Sequence, residues 1–355
     1  MTRPIRASFG SAALRHNHAV ARRHAGSARL WSVVKADAYG HGLARVAQAL
    51  SDVADGFALI EIEAAVALRR SGIRQPILLL EGCYTADELP VAAEHELTLV
   101  VHSLAQARAL ADARLSVRLP VYLKLDTGMH RLGLDAGELE QALALIEPCA
   151  GPITLMTHFA DADGKSGVAA QLAVFEAMRR GRAYSVCLAN SAALLRFPQT
   201  RGDWVRPGIM LYGSSPFPEL NAEALDLKPV MTLASELIAV RDIGCGDTVG
   251  YGGAFTAAGP MRIGVVACGY ADGYPRHAPT GTPILVGGRR TRTLGRVSMD
   301  KLCVDLTTLP EAGVGTAVTL WGKGLSADEV AAAAGTISYE LFCALAARVP
   351  VSESF

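Results

Sequence analysis

The sequence lacks an excess of either charge, a paired-cysteine pattern and any long apolar span, and each absence removes a class of function. Its 34 basic and 34 acidic side chains give a formal net charge of +0, so no long-range field draws the chain toward nucleic acid or an anionic lipid surface. The 7 cysteines are odd in number, far apart and without C-x-x-C spacing. That argues for reduced thiols rather than a disulfide or zinc framework, with no metal site and a cytoplasmic setting. The N-terminal stretch MTRPIRASFGSAALRHNHA has no apolar h-region, and no membrane-length apolar run follows, so neither a signal peptide nor a membrane helix is expected. Internal repeats and low-complexity tethers are absent too.

What is there is an ordinary globular chain. With 355 residues, 50% hydrophobic and 19% charged, it can bury a sizeable core and has room for two domains. Its organising stretch is Leu30 to Gly42, LWSVVKADAYGHG. Leu30, Trp31, Val33 and Val34 form an apolar, partly β-branched run that reads as a buried strand and breaks off at Lys35. An amine at a strand mouth between apolar walls loses solvation, which disfavours an ammonium ion and favours a nucleophile suited to Schiff-base formation with an aldehyde.

The first part of the chain alternates strand and helix patterns. Eight apolar strand candidates begin at Leu30, Gly56, Ile77, Leu97, Pro120, Ile153, Tyr184 and Trp204, with helices between them such as Ser11–His24, His41–Leu50 and Glu61–Ser71. Eight is the number a closed parallel (β/α) barrel needs. An open doubly wound sheet is the rival, but no G-x-G-x-x-G follows the first strand. From Val230 the texture changes to β-like runs between Gly and Pro turns, LASELIAV, RIGVVACGY, TPILVGG, TRTLGRVSM, LCVDL and AVTLW, which read as a separate, mostly antiparallel domain. The expected division is a TIM-type (β/α)8 barrel over residues 1–225 and a β domain over residues 226–355.

The barrel reading puts the unusual residues on one face. Lys35, Lys124, His158, Asn190, Ser191, Arg206 and Gly208 all fall at or just past carboxyl ends of strands, where barrel enzymes keep their chemistry. Ser191, Gly208 and Ile209 follow strands seven and eight and are placed to cup a phosphate. Taken singly, His158 also reads as a core histidine, Ser191 as a helix cap, Gly208 as a turn residue and Arg131 as a surface ion-pair partner.

The blocks VVKADAYGHG, KLDTGMHRLG, MTHFADAD, ANSAA, VRPGIMLYG, VGYGGAF, GYADGYPR, GRVSMD and ISYE, in that order, resemble the alanine racemases from about residue 5 to Val349. The resemblance implies a barrel that binds pyridoxal 5′-phosphate (PLP), a following β domain, and a head-to-tail homodimer whose active sites join the barrel of one subunit to the β domain of the other. It assigns Lys35 to the covalent link with the cofactor and to one of two catalytic bases, and Tyr251 to the other base, supplied by the partner subunit. Tyr39, Ser191, Gly208, Ile209 and Tyr339 match residues that hold the phosphate, and Arg206 the residue facing the pyridine nitrogen. His158 matches a residue in the neighbourhood of Arg206 and Tyr251. Arg131 and the backbone N–H of Met299 match substrate-carboxylate contacts, Tyr270 and Tyr274 the substrate entrance, and Lys124 a lysine often carbamylated to N6-carboxylysine. Ser298 stands where relatives often have Cys.

The chemistry fits those residue types. Racemisation removes the α-proton from one face and delivers one to the other, so two bases must flank a planar carbon. A guanidinium is donor-only, so a pyridine nitrogen facing Arg206 stays an unprotonated acceptor. PLP decarboxylases of similar plan pair that nitrogen with a carboxylate, and small PLP-carrier proteins lack the β domain that holds Tyr251, Met299 and Tyr339. The expected activity is L-alanine to D-alanine interconversion, for peptidoglycan or for D-alanine catabolism. A broader racemase acting on serine or other small amino acids is the alternative.

Overall fold

The computed structural model describes residues 3–354; Met1, Thr2 and Phe355 lie outside it. A first strand, β1 (Arg6–Gly10), leads into the helix Ser11–Ala25 and then into eight parallel strands. These are β2 (Arg29–Val33), β3 (Gly56–Leu59), β4 (Ile77–Leu79), β5 (Thr98–Val101), β6 (Val121–Lys124), β7 (Ile153–Met156), β8 (Ser185–Asn190) and β9 (Trp204–Arg206), and they close into a barrel. Every residue of β3, β4, β5 and β6 is buried. Burial on both faces explains why these strands read as continuous apolar runs rather than as alternating ones. Inside the barrel, Trp31 donates its indole N–H to the Tyr122 hydroxyl at 2.9 Å. Its ring lies over Gly56, where a Cβ would come within 2.5 Å of Trp31.

The helix expected over His41–Leu50 begins at Leu43, because the chain does something else first. From Lys35 to Gly40 it makes a left-handed helical turn, with φ of 53° at Ala36, 51° at Asp37, 55° at Ala38 and 53° at Tyr39. For L-residues this conformation costs roughly 1–2 kcal/mol per residue. It is held by local bonds: His41 N–H to Ala38 O at 3.1 Å, Gly42 N–H to Asp37 O at 2.9 Å, and Leu43 N–H to the Asp37 carboxylate at 2.6 Å. The buried His41 ring adds a bond from Nδ1 to Tyr39 O at 2.8 Å.

The second sheet contains β10 (Met231–Ile243), β13 (Met261–Val266), β14 (Pro283–Val286), β15 (Arg289–Leu294), β16 (Leu302–Asp305) and β17 (Ala317–Trp321), with the short pair β11 (Thr248–Val249) and β12 (Phe255–Thr256) beside it. With the last strand, β18 (Val351–Ser354), at one edge, its order is β13-β16-β15-β14-β17-β10-β1-β18, and β13 also pairs with β10. The pairings are antiparallel except that of β1 with β18. The first strand of the chain therefore joins the second sheet, and both ends of the described chain meet there. Two helices interrupt the β texture, Ala327–Ala333 and Ser338–Cys343. Among the described residues no helix is long and apolar enough to cross a membrane.

Candidate active site

At the carboxyl ends of the barrel strands lies a cavity of about 460 Å³. Lys35 enters it from the left-handed turn after β2, Lys124 from the end of β6, His158 from the loop after β7, Ser191 from the helix after β8 and Arg206 from the end of β9. Tyr39, Arg131, Gly208 and Ile209 line it as well, and Tyr339 reaches it from the helix Ser338–Cys343 of the second domain. That helix packs against the left-handed turn so closely that a Cβ on Gly40 would sit 2.0 Å from Phe342 O.

One end of the cavity is rich in uncommitted donors. Asn190, not Ser191, caps the helix Ser191–Arg196, its Oδ1 accepting from Ala193 N–H at 2.9 Å. Ser191 Oγ is thereby left to accept the Gly208 N–H at 2.9 Å, its own proton uncommitted to any acceptor among the described residues. The Tyr39 hydroxyl and Ile209 N–H have no acceptor among the described residues. A Cβ on Gly208 would come within 2.5 Å of the Tyr39 hydroxyl, so glycine is what lets these groups close up. The Tyr39 ring stacks on Tyr212 at 4.7 Å and lies 5.9 Å from Tyr339.

The other end is cationic. Arg206, 4% exposed, donates to Cys187 O at 2.6 Å and Cys187 Sγ at 3.0 Å through one terminal nitrogen, and to Thr157 O at 2.7 Å and Leu188 O at 3.0 Å through the other. All are neutral acceptors, so its charge has no counter-ion among the described residues. Burial, with Arg206 and then Arg131 nearby, pushes the Lys124 amine down to about 8 despite the opposing Glu81. Burial and the same cations, Arg206 first, hold His158 well below the usual histidine range, as a neutral ring.

Four expected residues stand apart from the cavity. Tyr251 is 72% exposed, Met299 53% and Tyr270 also exposed. Tyr251 begins a short turn in which Gly250, Gly252 and Gly253 all have positive φ. Tyr274 is buried in the second domain, stacked on Trp321 at 6.1 Å. Conversely, Glu81, Asp163 and Cys343 line the cavity without having been singled out. Glu81 ends the run ILLLE just past β4, a strand-mouth position like that of Lys35, and this was the signal available for it.

A parallel barrel with a cationic cavity at its strand ends and an antiparallel domain closing over it defines a two-domain barrel enzyme. The family model described as the alanine racemase N-terminal domain matches residues 10–216, and that of the C-terminal domain residues 230–352. The alanine racemase of Thiobacillus denitrificans is 58% identical over 353 residues, covering 99% of this chain and 96% of that protein. That of Nitrosospira multiformis is 54% identical over 354 residues, covering 98% and 99%. The biosynthetic alanine racemase from Pseudomonas aeruginosa superposes with a TM-score of 0.97 at 48% identity over 100% of both chains. The alanine racemase from Acinetobacter baumannii gives 0.95 at 36%, over 99% of this chain and 100% of that one. The chain belongs to the alanine racemase family.

Proposed function

We propose that the chain interconverts L- and D-alanine with PLP bound in the barrel cavity, in a homodimer whose sites are shared between subunits. One observation carries this reading. Lys35, Lys124, Arg131 and Arg206 converge on one cavity, none of them in an ion pair among the described residues, and a donor cup lies beside them. Such a cavity suits a ligand that brings a phosphate and a carboxylate.

Tyr39, Ser191, Ile209 and Tyr339 would hold the phosphate over Gly208, Lys35 the aldehyde carbon, and Arg206 the pyridine nitrogen, as donor only. When bound, PLP withdraws electrons from the substrate α-carbon and makes its proton removable. Lys35 Nζ takes or gives that proton on one face, and Tyr251 Oη of a second copy does so on the other. Each turnover moves one proton onto one base and one off the other. Arg131 and Met299 N–H fix the substrate carboxylate, and the exposed Tyr270 shapes the entrance, whereas Tyr274 packs on Trp321 inside the second domain. An amine near 8 is partly neutral at pH 7, so Lys124 is open to attack on carbon dioxide, giving a carbamate anion beside Arg131 and releasing a proton. A cytoplasmic setting accords with seven unpaired thiols. The equilibrium is symmetric, so the same site supplies D-alanine for peptidoglycan or drains it into L-alanine.

The test mixes two inactive variants, Lys35→Ala and Tyr251→Phe. After subunit exchange, half the dimers carry one intact site, so activity should return to about a quarter of wild type. Exchange without any return of activity would falsify the shared site.

A further inference from the structure

Asp272 is a buried carboxylate that does not line the barrel cavity, with its side chain 0% exposed. Arg3 forks onto it at 2.8 and 2.9 Å, and Arg348 donates to it at 2.8 Å. The Gly269 N–H completes the shell at 3.0 Å. Arg348 also reaches the Asp300 carboxylate at 2.7 Å. Both ends of the chain are thus tied to a single turn. Burial pushes this carboxyl up, but the Arg3 hydrogen bond, the Gly269 N–H and Arg348 outweigh it and hold it below the usual range. It is a fixed anion, and removing its partners would strand a buried charge.

The turn it holds is bound to a second one. Tyr270 N–H donates to Ser298 O and Ala271 N–H to Met299 O, both at 3.0 Å. A Cβ on Gly269 would lie 2.3 Å from Ser298 O and 2.4 Å from Met299 O, so the two turns touch backbone to backbone. The Ser298 carbonyl belongs to the same planar trans peptide as the Met299 N–H, so its bond from Tyr270 N–H turns the Met299 N–H to the opposite side, away from the Tyr270 backbone, and Tyr270 and Met299 are both exposed.

We propose that Asp272 is a positioning residue: clamped by Arg3, Arg348 and Gly269, it sets the geometry of Tyr270 and of the Met299 N–H, and so acts on the active site of the neighbouring subunit rather than on that of its own barrel. This rests on the shared-site reading above. Its chemistry predicts a substrate-side defect, because the cofactor contacts come from the barrel and, through Tyr339, from the helix Ser338–Cys343, not from the turns that Asp272 holds.

In the PLP-loaded enzyme, Asp272→Asn should lower kcat/KM for L-alanine about tenfold, mainly through KM, with the cofactor absorbance unchanged. Arg348→Gln should give the same signature more weakly. Mixed dimers decide which site is affected. Asp272→Asn exchanged with Lys35→Ala produces a site combining an intact Lys35 barrel with an intact Asp272 domain. Activity should return to about a quarter of wild type, against about a twentieth when Asp272→Asn is exchanged with Tyr251→Phe. The reverse ranking would put Asp272 to work in its own barrel and overturn the proposal. Equal values in both mixtures, or wild-type KM in Asp272→Asn, would also overturn it. Failure of the Lys35→Ala and Tyr251→Phe pair to complement would instead count against the shared site itself.

Discussion

At the barrel mouth Arg206 and the turn that carries Lys35 are held by several neighbours, whereas on the second domain the proposed ligand groups stand in the open. Arg206 makes four hydrogen bonds to backbone and thiol acceptors, and Lys35 starts a left-handed turn pinned by Asp37, His41 and the helix Ser338–Cys343. Tyr251 and Met299 project from turns and touch little. The barrel half is organised before any ligand arrives. The other half is organised only in its turns, and its side chains await a surface to meet. On the shared-site proposal that surface is a second copy.

The sharpest way to break this contrast is Tyr251→Phe. If Tyr251 is a base presented to another subunit, losing its hydroxyl should lower kcat by about 10²–10⁴. Because the ring is exposed, folding stability should change by less than about 0.5 kcal/mol, and PLP absorbance should not change. A large fall in the thermal midpoint, or near-normal kcat, would make it a packing residue instead.

Acid should find the barrel side first. Burial pushes His18 and His41 down to about 4, reinforced at His18 by Arg22, while the backbone bonds of His41 oppose it. Above about pH 6.5 each ring is neutral in folded and unfolded chains alike, and stability does not depend on it. Below that, the unfolded chain takes up a proton which the folded one refuses until about pH 4, so stability falls across the window. At pH 5 the loss is about 2 kcal/mol per ring. His18→Leu, which removes a buried Nε2 without a partner, should shrink the difference in urea stability between pH 7 and pH 5 by about 2 kcal/mol. An undiminished difference would assign the acid loss to other charges.

The same contrast sorts what the sequence disclosed. Barrel strands were legible because burial on both faces turns them into apolar runs such as ILLL and VYL, and the catalytic face followed from where those runs stop. The β domain was legible from its turns. The left-handed turn was not: nothing in Ala36, Asp37, Ala38 and Tyr39 announces positive φ, since it is tertiary packing by His41 and Phe342 that imposes it. The two late helices were missed although Ser326 and Glu329 mark the first, Ser326 Oγ accepting the Glu329 N–H at 3.1 Å. Glu81 was missed because a lone acid after a strand usually faces water. That Arg206 ties β9 to carbonyls following β7 and along β8 was invisible too, since a sequence shows its charge but not its acceptors.

The smallest effect belongs to Gly208, and it tests the barrel half alone. Its φ of −121° is not in the left-handed region that demands glycine, and the methyl added by Gly208→Ala has an identifiable neighbour. That Cβ would lie 2.5 Å from the Tyr39 hydroxyl and 3.3 Å from Tyr39 Cζ. The ring has little room to yield, being stacked on Tyr212, whose own hydroxyl is bonded to Val33 O at 2.8 Å. The hydroxyl is therefore displaced from the cup, and only contacts to the phosphate suffer. PLP affinity should fall about tenfold, or ~1.4 kcal/mol, while kcat at saturating PLP stays near wild type because Lys35, Arg206 and Tyr251 are untouched. Titration of the apoenzyme followed by absorbance checks the first expectation, and turnover at high PLP the second. An unchanged affinity would remove Gly208 and Tyr39 from the phosphate site. A fall in kcat at saturation would mean that the cup and the proton-transfer machinery are coupled through the left-handed turn, and the division between a holding half and a presented half would have to be redrawn inside the barrel.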